Sequence, residues 1–268
     1  IRDSVYLLQM FYTKIGRSNR GSMFKVILVA SGKGGTGKTS MTANVAAALA
    51  QKGHKTLVVD ADVGLRNLDI VLGMSDLVVF SFADVALGIV SLEQAAAKHH
   101  DLDNLYLLTA PIELPKLDED KITNIITEAQ NQGFEYVIID SPAGLGDEIK
   151  LFACISTQAI VVTMPDTASV RGAERVARLL EQENIMRIRI VVNRVRPSLI
   201  RQGIMGNIDD IMDEVGIPLL GVVPEDENVI SYGSNGKCLI KHKKGGASTA
   251  FCNIAQRIDG VRLPIMRI

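Results

Sequence analysis

The sequence predicts a single α/β domain: one mostly parallel β-sheet flanked by helices on both faces. Two observations lead there. Short, continuous apolar runs alternate with helical segments from Met23 onward, and strands buried on both faces read as such runs rather than as apolar–polar alternation. A glycine-rich loop also separates the first run from the first helical segment. The length agrees, because 268 residues suit one large domain whose core needs no disulfide or metal to hold it.

The strand candidates are residues 24–30, 56–59, 105–108, 136–139, 159–163, 188–192 and 219–223. Between the first two lies an Ala-rich helical segment, 39–51, with Gly53 placed where a left-handed C-terminal cap belongs. In the segment 170–182, Val176, Leu179 and Leu180 share a face while Arg171, Arg175 and Glu181 lie outside it. Such a sheet places ligands at the carboxyl ends of its strands.

Composition excludes several classes. The formal net charge of -1 signals no broad basic surface for nucleic acid. No apolar run approaches the ~20 residues that span a bilayer. Cys154, Cys238 and Cys252 are odd in number and scattered, so neither a disulfide framework nor a zinc site is indicated. His54, His99, His100 and His242 share no metal spacing, and His99-His100 reads as a solvated pair in a polar loop. Residues 1–22, basic and without a clean strand or helix pattern, read as a vector-derived, upstream or targeting leader, with the working domain at 23–268. Lys237, Lys241, Lys243 and Lys244 beside Gly245-Gly246 read as a solvated basic loop, with a partner or lipid site as the rival.

The chemistry is carried by Gly32-Lys33-Gly34-Gly35-Thr36-Gly37-Lys38-Thr39, which satisfies G-x-x-x-x-G-K-[ST] after a strand and before a helix. Glycines allow the tight turn that points backbone N–H groups at phosphate oxygens, and the helix N-terminus adds partial positive charge. Lys38 supplies a full charge to the β- and γ-phosphates, and the Thr39 hydroxyl is a magnesium ligand. The fold expected is therefore that of a P-loop NTPase, with the nucleotide held by the loop from Gly32 through Lys38 and Thr39 to Ser40.

Gly32, Gly34 and Gly37 also match the dinucleotide fingerprint G-x-G-x-x-G. That reading explains neither Lys38-Thr39 nor the acids on later strands. Tyr136-Val137-Ile138-Ile139-Asp140 is an apolar strand ending in an acid, which places Asp140 where it would hold Mg²⁺ through water. Gly144, shortly after, is free to swing when the γ-phosphate leaves. Asp60 and Asp62 end the second strand beside the expected γ-phosphate. Carboxylates there are costly without an intervening cation, which again calls for Mg²⁺. No N-K-x-D guanine-reading segment is present.

Lys33 is a second lysine in a loop that needs only one. With it, K-G-G-T-G-K-T resembles the deviant Walker A motif of the MinD/ParA family. Residues 60–69, 140–144, 165–171 and 221–226 are similar to stretches of the family's MinD branch, so the resemblance runs from about Met23 to about Arg257. It implies that Lys33 reaches across an ATP-dependent homodimer to the partner's phosphates and that Asp62 positions the attacking water. It implies that Asp60 lies near magnesium or its water shell. It also implies that Asn193, with Arg194, stands at the adenine-side strand end and reads the base, and Pro224, Glu225 and Asp226 resemble the second wall of that pocket.

The activity implied is Mg²⁺-dependent ATP hydrolysis, with Lys33, Lys38, Asp62 and Asp140 as its central residues. The role implied is spatial regulation of the division site, through a division inhibitor of the MinC kind and an activator of the MinE kind. A flagellar-number or cargo-positioning switch and a ParA-like DNA-partitioning ATPase are the alternatives. The expected location is cytoplasmic and peripheral at the inner face of the cell membrane. Gly260 and Pro264 disfavour the amphipathic C-terminal helix that MinD proteins use there, so any membrane contact from this tail is expected to be weak.

Overall fold

The computed structural model describes residues 24–266. The expected leader at 1–22 and the final Arg267-Ile268 lie outside the described residues. Eight strands form one sheet: β1 Lys25–Ala30, β2 Thr56–Asp60, β3 Ala97–Lys98, β4 Leu105–Leu108, β5 Tyr136–Asp140, β6 Gln158–Thr163, β7 Ile188–Val195 and β8 Leu219–Pro224. Their spatial order is β3-β4-β2-β5-β1-β6-β7-β8. Every pairing is parallel except that of the two-residue β3 with β4.

The expected parallel sheet is therefore present. Several strands run past the expected ends: β2 includes Asp60, β5 includes Asp140 and β7 continues to Val195. The ladder between β2 and β5 holds Asp60 and Asp140 extended, an effect that apolar runs do not record.

Both faces of the sheet are buried. Val26, Leu28 and Ala30 of β1 join one core, and Ile27 and Val29 join the other, as the two-residue strand period requires. The first core is covered by α5 (Glu119–Asn131), α6 (Asp147–Ala153) and α7 (Thr167–Gln182), through residues such as Ile125, Ile149 and Val176. The second is covered by α1 (Lys38–Gln51) and α12 (Gly246–Ile258). Helix α1 is buried on nearly every side, from Met41 through Ala50. That is why it is Ala-rich and shows no polar stripe. Lys52 caps it, and Gly53 follows in the left-handed conformation at φ 93°.

The remaining helices are short. They are α2 (Leu68–Leu72), α3 (Phe82–Ala86), α4 (Leu92–Ala95), α8 (Pro197–Arg201), α9 (Ile208–Val215), α10 (Glu227–Ser234) and α11 (Leu239–His242). Ser81 with Asp84, and Ser91 with Gln94, form capping boxes that start α3 and α4. Among the described residues no helix is long and apolar enough to cross a membrane.

One expectation is corrected. His99 is buried rather than solvated, and its Nδ1 accepts from the Asp101 backbone N–H at 3.0 Å. It follows the edge strand β3, whose pairing with β4 turns it inward.

Helix α2 ends at Gly73, which takes φ 66°. A Cβ on Gly73 would run into the carbonyl oxygen of Gly236, in the turn after α10. Gly73→Ala should therefore destabilise the fold by about 2–4 kcal/mol, combining left-handed strain with overpacking. Gly88→Ala is the control, because Gly88 has φ 70° but open space around it, leaving only about 1 kcal/mol of strain. Thermal unfolding distinguishes the two. Equal losses would refute the backbone contact as the cause.

Candidate functional site

The strand order reverses around β1, which lies between β5 and β6. Its loop into α1 thus emerges at the switch point, on the carboxyl edge where such sheets hold ligands. Three side chains of α1 meet Asp140 at the end of β5. Lys38 Nζ lies 2.9 Å from Asp140 Oδ1, Thr39 Oγ1 donates to Oδ2 at 2.7 Å, and Thr42 Oγ1 donates to Oδ1 at 3.1 Å. Lys38 and Asp140 are both buried. Thr42 was not foreseen. It lies one turn after Lys38, on the same face of α1, and the i, i+4 spacing was the available signal.

Asp60 is the register partner of Asp140 on the neighbouring strand. Its two oxygens accept the backbone N–H groups of Asp62 (3.0 Å) and Leu68 (3.1 Å). Asp60 thereby closes the base of the loop that carries Asp62. Burial pushes its carboxyl up to about 7, with the Asp140 charge adding to the rise and the two N–H bonds and Lys38 opposing it. Asp62 is half-buried, and burial raises its pKa as well, against the pull of Lys38.

The phosphate loop is anchored at both ends. Gly32 lies directly against the Gly172 backbone of α7, with no room for a Cβ. At the other end Gly37, φ 85°, leaves room for the Asn193 side chain, whose Nδ2 donates to the Thr36 carbonyl at 2.7 Å. The Thr36 hydroxyl is buried without a partner among the described residues. Gly144, φ 100°, donates its N–H to the Ser31 carbonyl at 2.9 Å and so ties the loop after β5 to the phosphate loop. Lys33 is half-exposed and lies 3.7 Å from Asp166, the N-cap of α7. Neither Gly172 nor Asp166 was singled out for a role here. A glycine inside a helical pattern is the one trace Gly172 leaves in the sequence.

A small cavity beside the loop is lined by Ser40, Asn193, Arg194, Pro224, Glu225 and Asp226, among others. The structure thus brings the expected base-pocket residues together next to Gly37. Arg194 sits at φ 55°, where the β7–β8 register slips between Val192 and Val195. Asp226 caps α10 and also accepts from Ala247 N at 3.2 Å, so it braces the pocket wall against α12. A larger apolar cleft of about 740 Å³ lies between α8, α9 and β8. It contains no residue of the phosphate loop and is not the nucleotide site.

The residues fit a magnesium nucleotide. A buried Thr36 hydroxyl with no partner among the described residues, in a glycine-rich loop, suits phosphate oxygens. Asp60, Asp62 and Asp140 around the single buried Lys38 leave excess negative charge, which suits a divalent cation. Among the described residues no three His, Cys, Asp or Glu side chains assemble into a metal cage. Mg²⁺ needs only one or two carboxylates when phosphates and water complete its shell.

Fold and site together define a P-loop nucleotide-binding protein of the ATPase kind. The sequence profile of the CobQ/CobB/MinD/ParA nucleotide-binding domain matches residues 27–240, and the chain belongs to that family. It is 41% identical over 247 residues to the septum site-determining protein MinD of Bacillus subtilis, covering 91% of this chain and 92% of that one. The MinD of the MinC:MinD cell division complex of Aquifex aeolicus superposes with a TM-score of 0.86 at 34% identity, covering 91% and 98% of the two chains. MinD of Pyrococcus horikoshii in complex with Mg-ADP gives 0.78 at 29% identity, covering 88% and 96%. The chain is thus a MinD-like ATPase of division-site placement.

The raised Asp60 pKa has a consequence for stability. The folded chain holds this proton more tightly than the unfolded chain, so stability falls as pH rises between about 4 and 7. Asp60→Asn removes the titration. In nucleotide-free protein with chelator, the melting temperature of the Asn variant relative to wild type should rise from pH 5 to pH 8. Parallel profiles would refute the assignment.

Proposed function

We propose that this chain is an ATP-dependent dimerising switch, in which two copies close over two nucleotides and part after hydrolysis. The observation that carries this reading is Lys33. The local phosphate site already has Lys38, buried on Asp140. Lys33 stays half-exposed, its one ion pair among the described residues being a 3.7 Å contact to a half-exposed Asp166, and an ion pair of that kind is worth at most about 1 kcal/mol. Its ammonium is therefore available to the phosphates of a second copy.

Within each copy, the loop N–H groups and Lys38 bind and orient the triphosphate. Thr39 and Asp140 would hold Mg²⁺, with Asp60 behind them. Bound Mg²⁺ would supply a compact positive charge at the β- and γ-phosphates. Asp62, on the loop that Asp60 closes, orients water for attack on the γ-phosphate. Asn193, Arg194 and the segment Pro224-Glu225-Asp226 surround the base.

The partners that this reading carries are a division inhibitor of the MinC kind and an activator of the MinE kind. Nucleic acid is not among them, given the net charge of -1. The proposed location is the cytoplasm, with weak peripheral contact at the inner face of the membrane. The described part of the tail, 261–266, forms no helix. It is drawn toward the body by the Arg257 guanidinium, which donates to the Leu263 carbonyl at 2.9 Å.

Asp62→Ala should bind ATP with near wild-type affinity yet lose at least about 100-fold in turnover, the scale of a lost water-positioning group. Steady-state phosphate release with Mg²⁺-ATP measures this, and normal turnover would remove Asp62 from the chemistry. Lys33→Ala should keep nucleotide affinity but remain monomeric. Light scattering with a non-hydrolysable ATP analogue is the check, and a dimer of wild-type stability would overturn the role of Lys33.

A further inference from the structure

The Asn193 side chain, which the family resemblance casts as a reader of the base, is engaged elsewhere. Its Nδ2 donates 2.7 Å to the carbonyl of Thr36, in the middle of the phosphate loop and 157 residues away in sequence. Asn193 is buried. The contact is built from both sides. On the loop side, Gly37 takes φ 85°, and any Cβ there would strike Asn193 Nδ2. On the strand side, the β7–β8 register slips between Val192 and Val195, and Arg194 takes φ 55°, a costly conformation for a non-glycine residue. The slip and the left-handed residue re-aim this stretch of β7, as a bulge does. The amide's orientation is then fixed, because a carbonyl can only accept, so Nδ2 must face Thr36. The Oδ1 takes no hydrogen bond from the described residues, and Asn193 is one of the residues that line the cavity beside the loop.

We propose that Asn193 is a positioning residue for the phosphate loop, a strut between the base pocket and the triphosphate cradle. The proposal rests on the reading of this loop as the nucleotide's phosphate site. The peptide unit of Thr36 and Gly37 is one of those that present N–H groups to phosphate. If its carbonyl is pinned, the N–H that follows is aimed as well, because the peptide is planar. The strut therefore acts on phosphate affinity even for a ligand with no base. It also joins the two halves of the site, since the residue that holds the loop through Nδ2 lines the cavity beside it.

The decisive probe is Mg²⁺–tripolyphosphate, which carries the phosphates of ATP and no base. Asn193→Leu keeps the volume without a donor, and Asn193→Ala adds no bulk if the leucine variant does not fold. Either substitution leaves the Thr36 carbonyl without its buried partner, and affinity for Mg²⁺–tripolyphosphate by calorimetry should fall about tenfold. In nucleotide-free protein, hydrogen exchange of the amides of residues 32–38 should accelerate about tenfold, while the exchange of β5 stays unchanged. A residue that only packs would be replaced by Leu without either effect. A variant that loses ATP affinity but keeps wild-type tripolyphosphate affinity and loop exchange would overturn the strut and leave Asn193 as a base reader. Wild-type protein that binds neither ATP nor tripolyphosphate would instead overturn the phosphate-site reading, and the exchange experiment would still decide the strut.

Discussion

Asp140 sits at the end of a central strand, buried, with its two oxygens taken by Lys38, Thr39 and Thr42 of the helix that begins at the phosphate loop. Removing one member of such a pair leaves an uncompensated buried charge and costs about 3–5 kcal/mol. The constraint spreads outward. It fixes where α1 starts, and so where the loop before it must turn. It places a second carboxylate, Asp60, one strand away, and the repulsion between them contributes to lifting the Asp60 pKa to about 7. One lysine cannot balance both acids and Asp62. The site is therefore electrostatically incomplete, which suits a nucleotide that brings a cation with it.

Around this rigid centre the contacts are lighter. The loop of residues 62–68 is closed by two backbone hydrogen bonds to Asp60, and the loop after Asp140 is tied to Ser31 by the single N–H of Gly144. A hydrogen bond of this kind is worth about 1 kcal/mol net. The buried, charged Lys38–Asp140 pair is held far more firmly than either loop. Each loop also carries an exposed leucine, Leu65 and Leu145. The arrangement suits a switch, with a fixed cradle and two lightly held loops that present apolar side chains outward.

Much of this was legible in the chain. The parallel sheet followed from apolar runs, because strands covered on both faces have no polar side to show. Gly32 through Thr39 could be assigned to phosphate because that spacing meets the turn, the N–H nest and the helix terminus at once. Asp140 followed from an apolar strand ending in an acid. Less was legible where several weak local signals compete. Helices α3 and α4 are four or five residues long and declare themselves only through the capping boxes at Ser81 and Ser91. His99 looked solvated because its neighbours are polar, and only the antiparallel β3–β4 pairing turned it inward.

The sequence alone determined the fold class, the glycine-rich loop between the first strand and the first helix, and the acids at the strand ends, since each depends on a local pattern or on residues adjacent along the chain. The tertiary structure decided the partnerships. It gave Asp60 the closing of the 62–68 loop, set Gly172 against Gly32, placed Asp166 beside Lys33 and joined Asn193 to Thr36. Each of these contacts joins segments on different strands, loops or helices, or depends on how a carboxylate is oriented. Their geometry is set by sheet order, register and the slip in β7. None of those is written in any single stretch of sequence, because strand pairing is chosen by the whole core rather than by the strand itself.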